Sequence, residues 1–247
     1  MNAIETMGLT KRFRGRTAVE DLNLTIAQGE FFALLGQNGA GKTTTIRMLT
    51  CLLAPSAGDA FLMGESISRN AEAAKAHSNL SPQETAIAQN LTVRENLMLI
   101  ARLYGANKAD AAGRAEAAMR EFGLSARARD RAKTLSGGMQ RRLSIAMALI
   151  TKPNVLFLDE PTLGLDVRAR RELWKTISAL KGKVTVVLTT HYLEEAEALA
   201  DRIGIMHEGR LQALGTAAAL CAETNTTNFE DAFLALTESE SEKEAAL

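Results

Sequence analysis

The spacing of apolar positions along the chain changes several times, and each change marks an element. From Ala18 to Ile26, Leu22, Leu24 and Ile26 fall on one face at a period of two, as in a half-buried strand. Residues 1–30 as a whole predict short strands and turns. Phe31-Phe32-Ala33-Leu34-Leu35 is apolar without interruption, which suits a strand covered on both faces. From Thr44 to Leu53 the apolar residues Ile46, Leu49, Leu52 and Leu53 recur at helical spacing, and Pro55 should stop that helix. Asp59 to Met63 predicts a strand ended by Gly64, and Ala71 to Ala76 a short helix. Ser78 to Glu84 is too polar for a strand and is broken by Pro82.

Residues 92–150 read as helical. Thr92-Val93-Arg94-Glu95 has the form of a capping box, and Val93, Leu97, Ile100 and Tyr104 follow at helical spacing. A second helix runs from Ala109 to Phe122 with Gly123 as its stop, and a third from Gly137 to Thr151, before Pro153. The period then changes again. Val155-Leu156-Phe157-Leu158 and Val184 to Leu188 predict buried strands, separated by a helix from Val167 to Leu180. Leu193 to Ala200 is a further helix, and Arg202 to Gly215 a hairpin turning at Glu208-Gly209. Strands alternating with helices imply a mostly parallel sheet covered by helices, an α/β fold. Beyond Thr224 the chain becomes polar, and from Glu238 it is acidic, the composition of a disordered tail.

A chain of 247 residues with 46% apolar content can bury a full core. Lys+Arg and Asp+Glu balance at 29 each, which removes the basic footprint of a dedicated nucleic-acid binder. Cys51 and Cys221 stand far apart outside any metal-type spacing and are expected to be reduced thiols. No apolar run reaches the roughly 18–20 residues of a membrane span, and the first six residues lack the basic and apolar blocks of a signal peptide. The expectation is a soluble cytoplasmic protein, held at a membrane, if it works there, by another subunit.

One stretch carries specific chemistry. Gly36-Gln37-Asn38-Gly39-Ala40-Gly41-Lys42-Thr43-Thr44 fits G-x-x-x-x-G-K-[ST] between a predicted strand and a predicted helix. Glycines let backbone N–H groups turn inward around a triphosphate, and the helix start adds about half a positive charge. Lys42 would reach the β and γ phosphates, and Thr43 would offer its hydroxyl to Mg²⁺. Asp159 and Glu160, at the end of the Val155–Leu158 run, supply the acidic partners. Asp159 is placed to hold Mg²⁺ through water, and Glu160 to orient and deprotonate an attacking water. Phe13, in Thr10-Lys11-Arg12-Phe13-Arg14, could stack on an adenine ring or be a half-buried strand aromatic.

Leu135-Ser136-Gly137-Gly138-Met139-Gln140 opens a helix with a serine and two glycines, a second anion-binding start. One nucleotide gives one chain no evident need for two, whereas a dimer could use the second on its partner's γ-phosphate. Arg127, Arg129, Arg131 and Lys133, just before it, read as a solvated basic face, and His77 and His207 as ordinary structural histidines.

Together these motifs and the later His191 resemble the ATPase subunit of an ATP-binding cassette (ABC) transporter, over about residues 4–220. The resemblance implies a P-loop NTPase core with a mostly parallel sheet, an N-terminal antiparallel β subdomain and an inserted helical subdomain at about 86–139. The ATPase domain would span 1–223, leaving 224–247 as an acidic tail with a short helix. It also implies ATP and Mg²⁺ as ligands, and a head-to-tail dimer, most simply of identical chains, that sandwiches two ATP molecules. Phe13 takes the place of the adenine-stacking aromatic, often Tyr in the family. Gln83 matches the glutamine that reaches Mg²⁺ and the water, beside the groove for the membrane subunit. Asp166 matches an aspartate at the dimer interface, and His191 a histidine that contacts the γ-phosphate. Leu163 stands where the family often has Ser, which weakens a hydroxyl contact there.

Glu160 to Val167, Thr189 to Glu197 and Phe229 to Phe233 are further similar to ATPases of drug, antibiotic and polysaccharide exporters, which pair with separate six-span membrane subunits. That implies a peripheral subunit on the cytoplasmic face of a membrane with integral permease partners and no nucleic acid. An importer ATPase, or a soluble ABC-type ATPase outside transport, stays open as an alternative.

Overall fold

The computed structural model describes residues 1–238. Two strands of 12 residues each, β1 (Asn2–Phe13) and β2 (Arg16–Ala27), open the chain as an antiparallel hairpin. They are longer than the short strands expected from the sequence. Several register shifts along β1 interrupt its two-residue period, so one long strand reads as several short ones. Leu22, Leu24 and Ile26 do share one buried face. Next come β3 (Phe31–Leu35), α1 (Lys42–Leu49), β4 (Ala57–Leu62), β5 (Glu65–Ser66), α2 (Ala71–Ala76) and β6 (Ser78–Ser81).

Helix α1 starts two residues before the expected Thr44 and stops well before Pro55. Its end is closed locally: Cys51 takes φ 54°, and the N–H groups of Leu52 and Leu53 both return to the Arg47 carbonyl. This left-handed closure satisfies the last carbonyls and takes Leu52 and Leu53 out of the helix. The polar stretch at Ser78 is also a correction, because Ser78–Ser81 is a strand. It pairs in parallel with Val155–Leu158 at the sheet edge, and Pro82 follows the last paired residue, where it removes no ladder bond.

The helical subdomain holds α3 (Val93–Leu103), α4 (Lys108–Glu121) and the start of α5 (Gly137–Leu149). The expected capping box forms in both directions, with Glu95 N–H on Thr92 Oγ1 at 3.2 Å and Thr92 N–H on Glu95 Oε2 at 2.8 Å. Val93, Leu97 and Ala101 of α3 pack with Ala111, Ala115 and Met119 of α4 in one continuous core. The chain continues through β7 (Val155–Asp159), α6 (Val167–Ser178), β8 (Thr185–Thr190), α7 (Leu193–Leu199), β9 (Arg202–His207), β10 (Arg210–Gly215), α8 (Ala217–Thr224) and α9 (Phe229–Thr237). The hairpin turn falls at Glu208-Gly209, both at positive φ, 47° and 82°.

A four-stranded antiparallel sheet has the order β2-β1-β4-β5. A six-stranded sheet has the order β10-β9-β3-β8-β7-β6 and is parallel except for β10. Alternate residues of its strands enter different cores: Leu156 and Leu158 pack toward the helices, Val155 and Phe157 toward the antiparallel sheet. Helix α9 lies inside what the sequence suggested was a tail. Its Phe229, Ala232 and Phe233 are buried with Leu35, Ile205 and Leu220. Past Glu238 the expected disorder lies outside the described residues. Among the described residues, no helix is long and apolar enough to cross a membrane.

Candidate functional site

Strands β3, β8 and β7 lie side by side, so the loops after Leu35, Thr190 and Asp159 converge at one end of the sheet. That is where open α/β sheets hold ligands. An open cleft of about 490 Å³ sits there, with Asn38, Gly41, Lys42, Thr43 and Thr44 on its floor and Phe13 and Arg16 on one side. Gln83, Glu160, Leu163 and His191 line it as well.

The loop before α1 needs glycine at two points. At Gly41, φ 105° and a Cβ only 2.5 Å from the Ala18 carbonyl would exclude a side chain. A Cβ on Gly36 would run into the Met206 carbonyl. The loop therefore packs directly on the β2 and β9 backbones. Lys42 is folded inward, with Nζ donating to the carbonyls of Gly36 at 2.7 Å and Gln37 at 3.1 Å and lying 3.6 Å from Glu160 Oε1. Burial pushes its ammonium below the ordinary lysine value, while Glu160 and then Asp159 pull the other way. Gln37 is exposed, and Ala40 is buried beneath the loop.

Asp159 ends β7 almost fully buried. Its Oδ1 accepts from Thr189 Oγ1 at 2.5 Å and from Thr43 Oγ1 at 3.3 Å. Thr43 and Gln83 line the cleft and the Asp159 carboxylate stands behind Thr43, an oxygen-donor set that fits Mg²⁺, which keeps other positions for phosphate and water. Glu160 adopts φ 46°, an uncommon backbone for a side chain of its size. Its N–H is held by both the carbonyl and the hydroxyl of Thr189, each at 3.1 Å. Its carboxylate lies between Lys42 and His191, whose Nδ1 is 3.2 Å from Glu160 Oε2 without hydrogen-bond alignment.

Phe13 stands at the cleft edge, 49% exposed, with Lys11 Nζ 5.3 Å from its ring centre. It is the last residue of β1, so a place on a strand and a place at the cleft hold together. Ser136, Gly137, Gly138, Met139 and Gln140 do not line the cleft. Ser136 caps α5 by accepting from Met139 N–H at 3.4 Å, and Gln140 holds the carbonyls of Ala132 and Leu135. Leu135 is buried, whereas Ser136 and Gly137 are exposed. Asp166 caps α6 through Ala169 N–H at 2.8 Å, also outside the cleft.

Three residues that the motifs do not mark are part of the site. Arg16 Nη2 donates to the Gly39 carbonyl at 2.8 Å and lines the cleft. Thr189 ties Asp159 to the Glu160 turn. Arg141, buried on α5, donates to the Pro82 carbonyl at 2.6 Å and to that of Gln83, anchoring the Gln83 loop. Arg16 lies just beyond the basic stretch around Phe13 and is not singled out by it. No local signal marks the other two, whose partners are distant in sequence.

The sequence profile of the ABC transporter family matches residues 19–163. A daunorubicin resistance ATP-binding protein of Streptomyces coeruleorubidus is 45% identical over 90% of this chain and 71% of its own length. A Nod factor export ATP-binding protein of Paraburkholderia xenovorans is 44% identical over 89% of this chain and 73% of its own. Among solved structures, an ATP-binding subunit of an ABC transporter superimposes with a TM-score of 0.84 at 30% identity, covering 96% of this chain and all of that one. A bacterial ABC transporter cassette, solved as a dimer, shares the fold with a TM-score of 0.78 at 24% identity over 86% of this chain and 98% of its own. The chain belongs to the ABC transporter family, as an ATP-binding and ATP-hydrolysing subunit.

Proposed function

We propose that this ATPase drives an exporter, working as a head-to-tail dimer on separate membrane subunits at the cytoplasmic face of a membrane. The observation that carries the reading is the convergence of Lys42, Glu160 and His191 in one cleft, beside the linked oxygens of Thr43 and Asp159. The N–H groups of Gly39 to Thr43 would cradle the triphosphate, with Lys42 exchanging the Gly36 and Gln37 carbonyls for phosphate oxygens. Phe13 would stack on the adenine, and Arg16 would brace the loop through Gly39. Thr43 and Asp159, with Gln83, would hold Mg²⁺, which when bound neutralises charge on the phosphates. Glu160 takes the proton of a water as its oxygen attacks the γ-phosphorus and the bond to the bridging oxygen breaks, giving ADP and phosphate. His191 lies beside Glu160 to orient the γ-phosphate.

The exposed start of α5 supports a second chain. Ser136, Gly137 and Gly138 offer an anion-binding helix start that their own cleft does not use. Asp166 at the start of α6 would meet the partner across the same interface. Beside Gln83, a small groove lined by Leu80, Pro82, Ile100, Tyr104 and Met147 is flanked by exposed Leu99 and Leu103, a surface suited to a helix of a membrane subunit. Export follows from the relatives that act in drug resistance and Nod factor export.

Glu160→Gln tests the core of this reading. It should bind ATP, accumulate as an ATP-bound dimer in size-exclusion chromatography and lose turnover by about a hundredfold or more. Near-normal phosphate release would refute the assignment of the base. Detergent-purified complexes should contain a separately encoded membrane protein.

A further inference from the structure

Glu195 is a buried carboxyl that the hydrolytic chemistry does not use. It lies on α7, fully buried, and lines no part of the cleft. Its Oε1 accepts from Trp174 Nε1 of α6 at 2.9 Å. The hydroxyls of Thr190 and Thr162 face the same carboxyl, and the Arg170 charge is near it. Among the described residues, Glu195 Oε2, Thr162 Oγ1 and Arg170 Nε are all buried there without an aligned hydrogen-bond partner. So dense an unpaired polar group is costly in a core and calls for an explanation in function.

The positions of these partners supply one. Thr162 follows Glu160 by two residues, and Thr190 precedes His191 by one. A single carboxyl thus faces the ends of both strands that present the catalytic side chains. A second contact runs in parallel. The Arg170 guanidinium stacks 4.5 Å from the Tyr192 ring centre, and that ring lies 4.1 Å from the His191 ring. Arg170 and Trp174 both belong to α6, whose first turn, with Val167, is exposed.

We propose that Glu195, with Arg170 and Trp174, is a positioning set that ties the His191 loop and the Glu160 turn to helix α6, so that the two catalytic side chains are in place only when α6 is seated. This rests on the reading of Glu160 and His191 as the hydrolytic pair. Whatever displaces the exposed start of α6 is then transmitted to the hydrolytic centre without touching the nucleotide.

The chain has a single tryptophan, so its fluorescence reports on Trp174 alone. Steady-state ATPase kinetics, ATP binding and emission would be measured for the wild type, Glu195→Ala, Glu195→Gln and Arg170→Met. Glu195→Ala should lower kcat about tenfold or more, leave KM and ATP affinity within about twofold, and shift Trp174 emission. Glu195→Gln keeps an acceptor for the indole and adds a donor toward the threonines, and should recover kcat to within about threefold of wild type. Arg170→Met, which leaves the buried carboxyl in place, should lower kcat about fivefold at unchanged KM and decides the matter if Glu195→Ala does not fold.

Full kcat in Glu195→Ala or Arg170→Met would overturn the proposal, as would an effect confined to KM. Equal losses in Glu195→Ala and Glu195→Gln would do the same. If instead Glu160→Gln hydrolyses ATP normally, the reading of the catalytic pair fails, whatever the Glu195 variants do.

Discussion

Arg141→Met isolates a contact that no motif marks. Arg141 is 5% exposed, and its guanidinium donates to two main-chain carbonyls, Pro82 and Gln83, on the loop that carries Gln83 into the cleft. A hydrogen bond to a charged group contributes about 1.5–3 kcal/mol. Two of them do not count in full, because burying the cation is itself unfavourable. That burial pulls the guanidinium below its ordinary value even though Asp159 and then Glu195 act the other way. Methionine fills similar space and leaves no large cavity, so the loss should come from the unpaired carbonyls and the freed loop. The expected destabilisation is about 2–4 kcal/mol. Urea unfolding followed by Trp174 fluorescence would show a midpoint lowered by roughly 1 M, for a slope of about 3 kcal/mol/M. Turnover should fall as Gln83 loses its anchor, while ATP affinity through the Gly36–Thr44 loop persists. A midpoint within about 0.2 M of wild type together with full kcat would refute the anchoring role.

Two further predictions test other parts of the fold. Phe233→Ala, in the core that joins α9 to β3 and β9, should cost about 3–5 kcal/mol in urea unfolding, and a value below about 1 kcal/mol would mean that α9 is an appendage. Glu195→Gln should change the pH dependence of stability. Burial raises the Glu195 carboxyl above its ordinary 4.5, against the opposing pull of the Thr190 hydroxyl, the Trp174 bond, the Thr162 hydroxyl and the charge of Arg170, with Arg141 also nearby. The unfolded chain therefore releases this proton first, and wild-type stability falls as pH rises from 4.5 through the folded value. The glutamine variant should gain on wild type as pH rises above about 4.5, and a constant or shrinking gap would contradict this sign.

What the sequence reveals here depends on how far apart the cooperating residues lie. The Gly36–Thr44 loop and the Ser136 cap act through neighbours within two turns, so their spacing places them, and Asp159-Glu160 is marked by the apolar run it follows. Arg16, Thr189 and Arg141 act through partners 23, 30 and 58 residues away, distances that no local pattern spans. Strand β6 is hidden for another reason: at a sheet edge it needs only one partner and no apolar run, so Ser78 and Asn79 serve as well as valines. Its place is set by β7, whose apolar run is obvious. The end of α1 is hidden because Leu52 and Leu53 continue the helical period after the backbone has already turned at Cys51. In α9 the polar composition around it masks three core side chains, which only the tertiary fold brings to Leu35 and Ile205.

Glu160 shows what the site demands of the backbone. A residue at φ 46° is better served by glycine or asparagine, and holding a long side chain there costs about 1 kcal/mol or more. Two bonds from its N–H to Thr189 hold the turn, and the turn aims the carboxylate between Lys42 and His191. Local stability would favour another residue, so the side chain is there for its chemistry. Comparing Glu160→Asn with Glu160→Gln separates the two demands, since both lose the base and the charge beside Lys42 but only asparagine suits the left-handed backbone. Glu160→Asn should be at least as stable as Glu160→Gln in urea, despite its smaller buried side chain, with both lacking turnover. If Glu160→Gln proved more stable by over about 1 kcal/mol, side-chain packing rather than backbone strain would govern this turn.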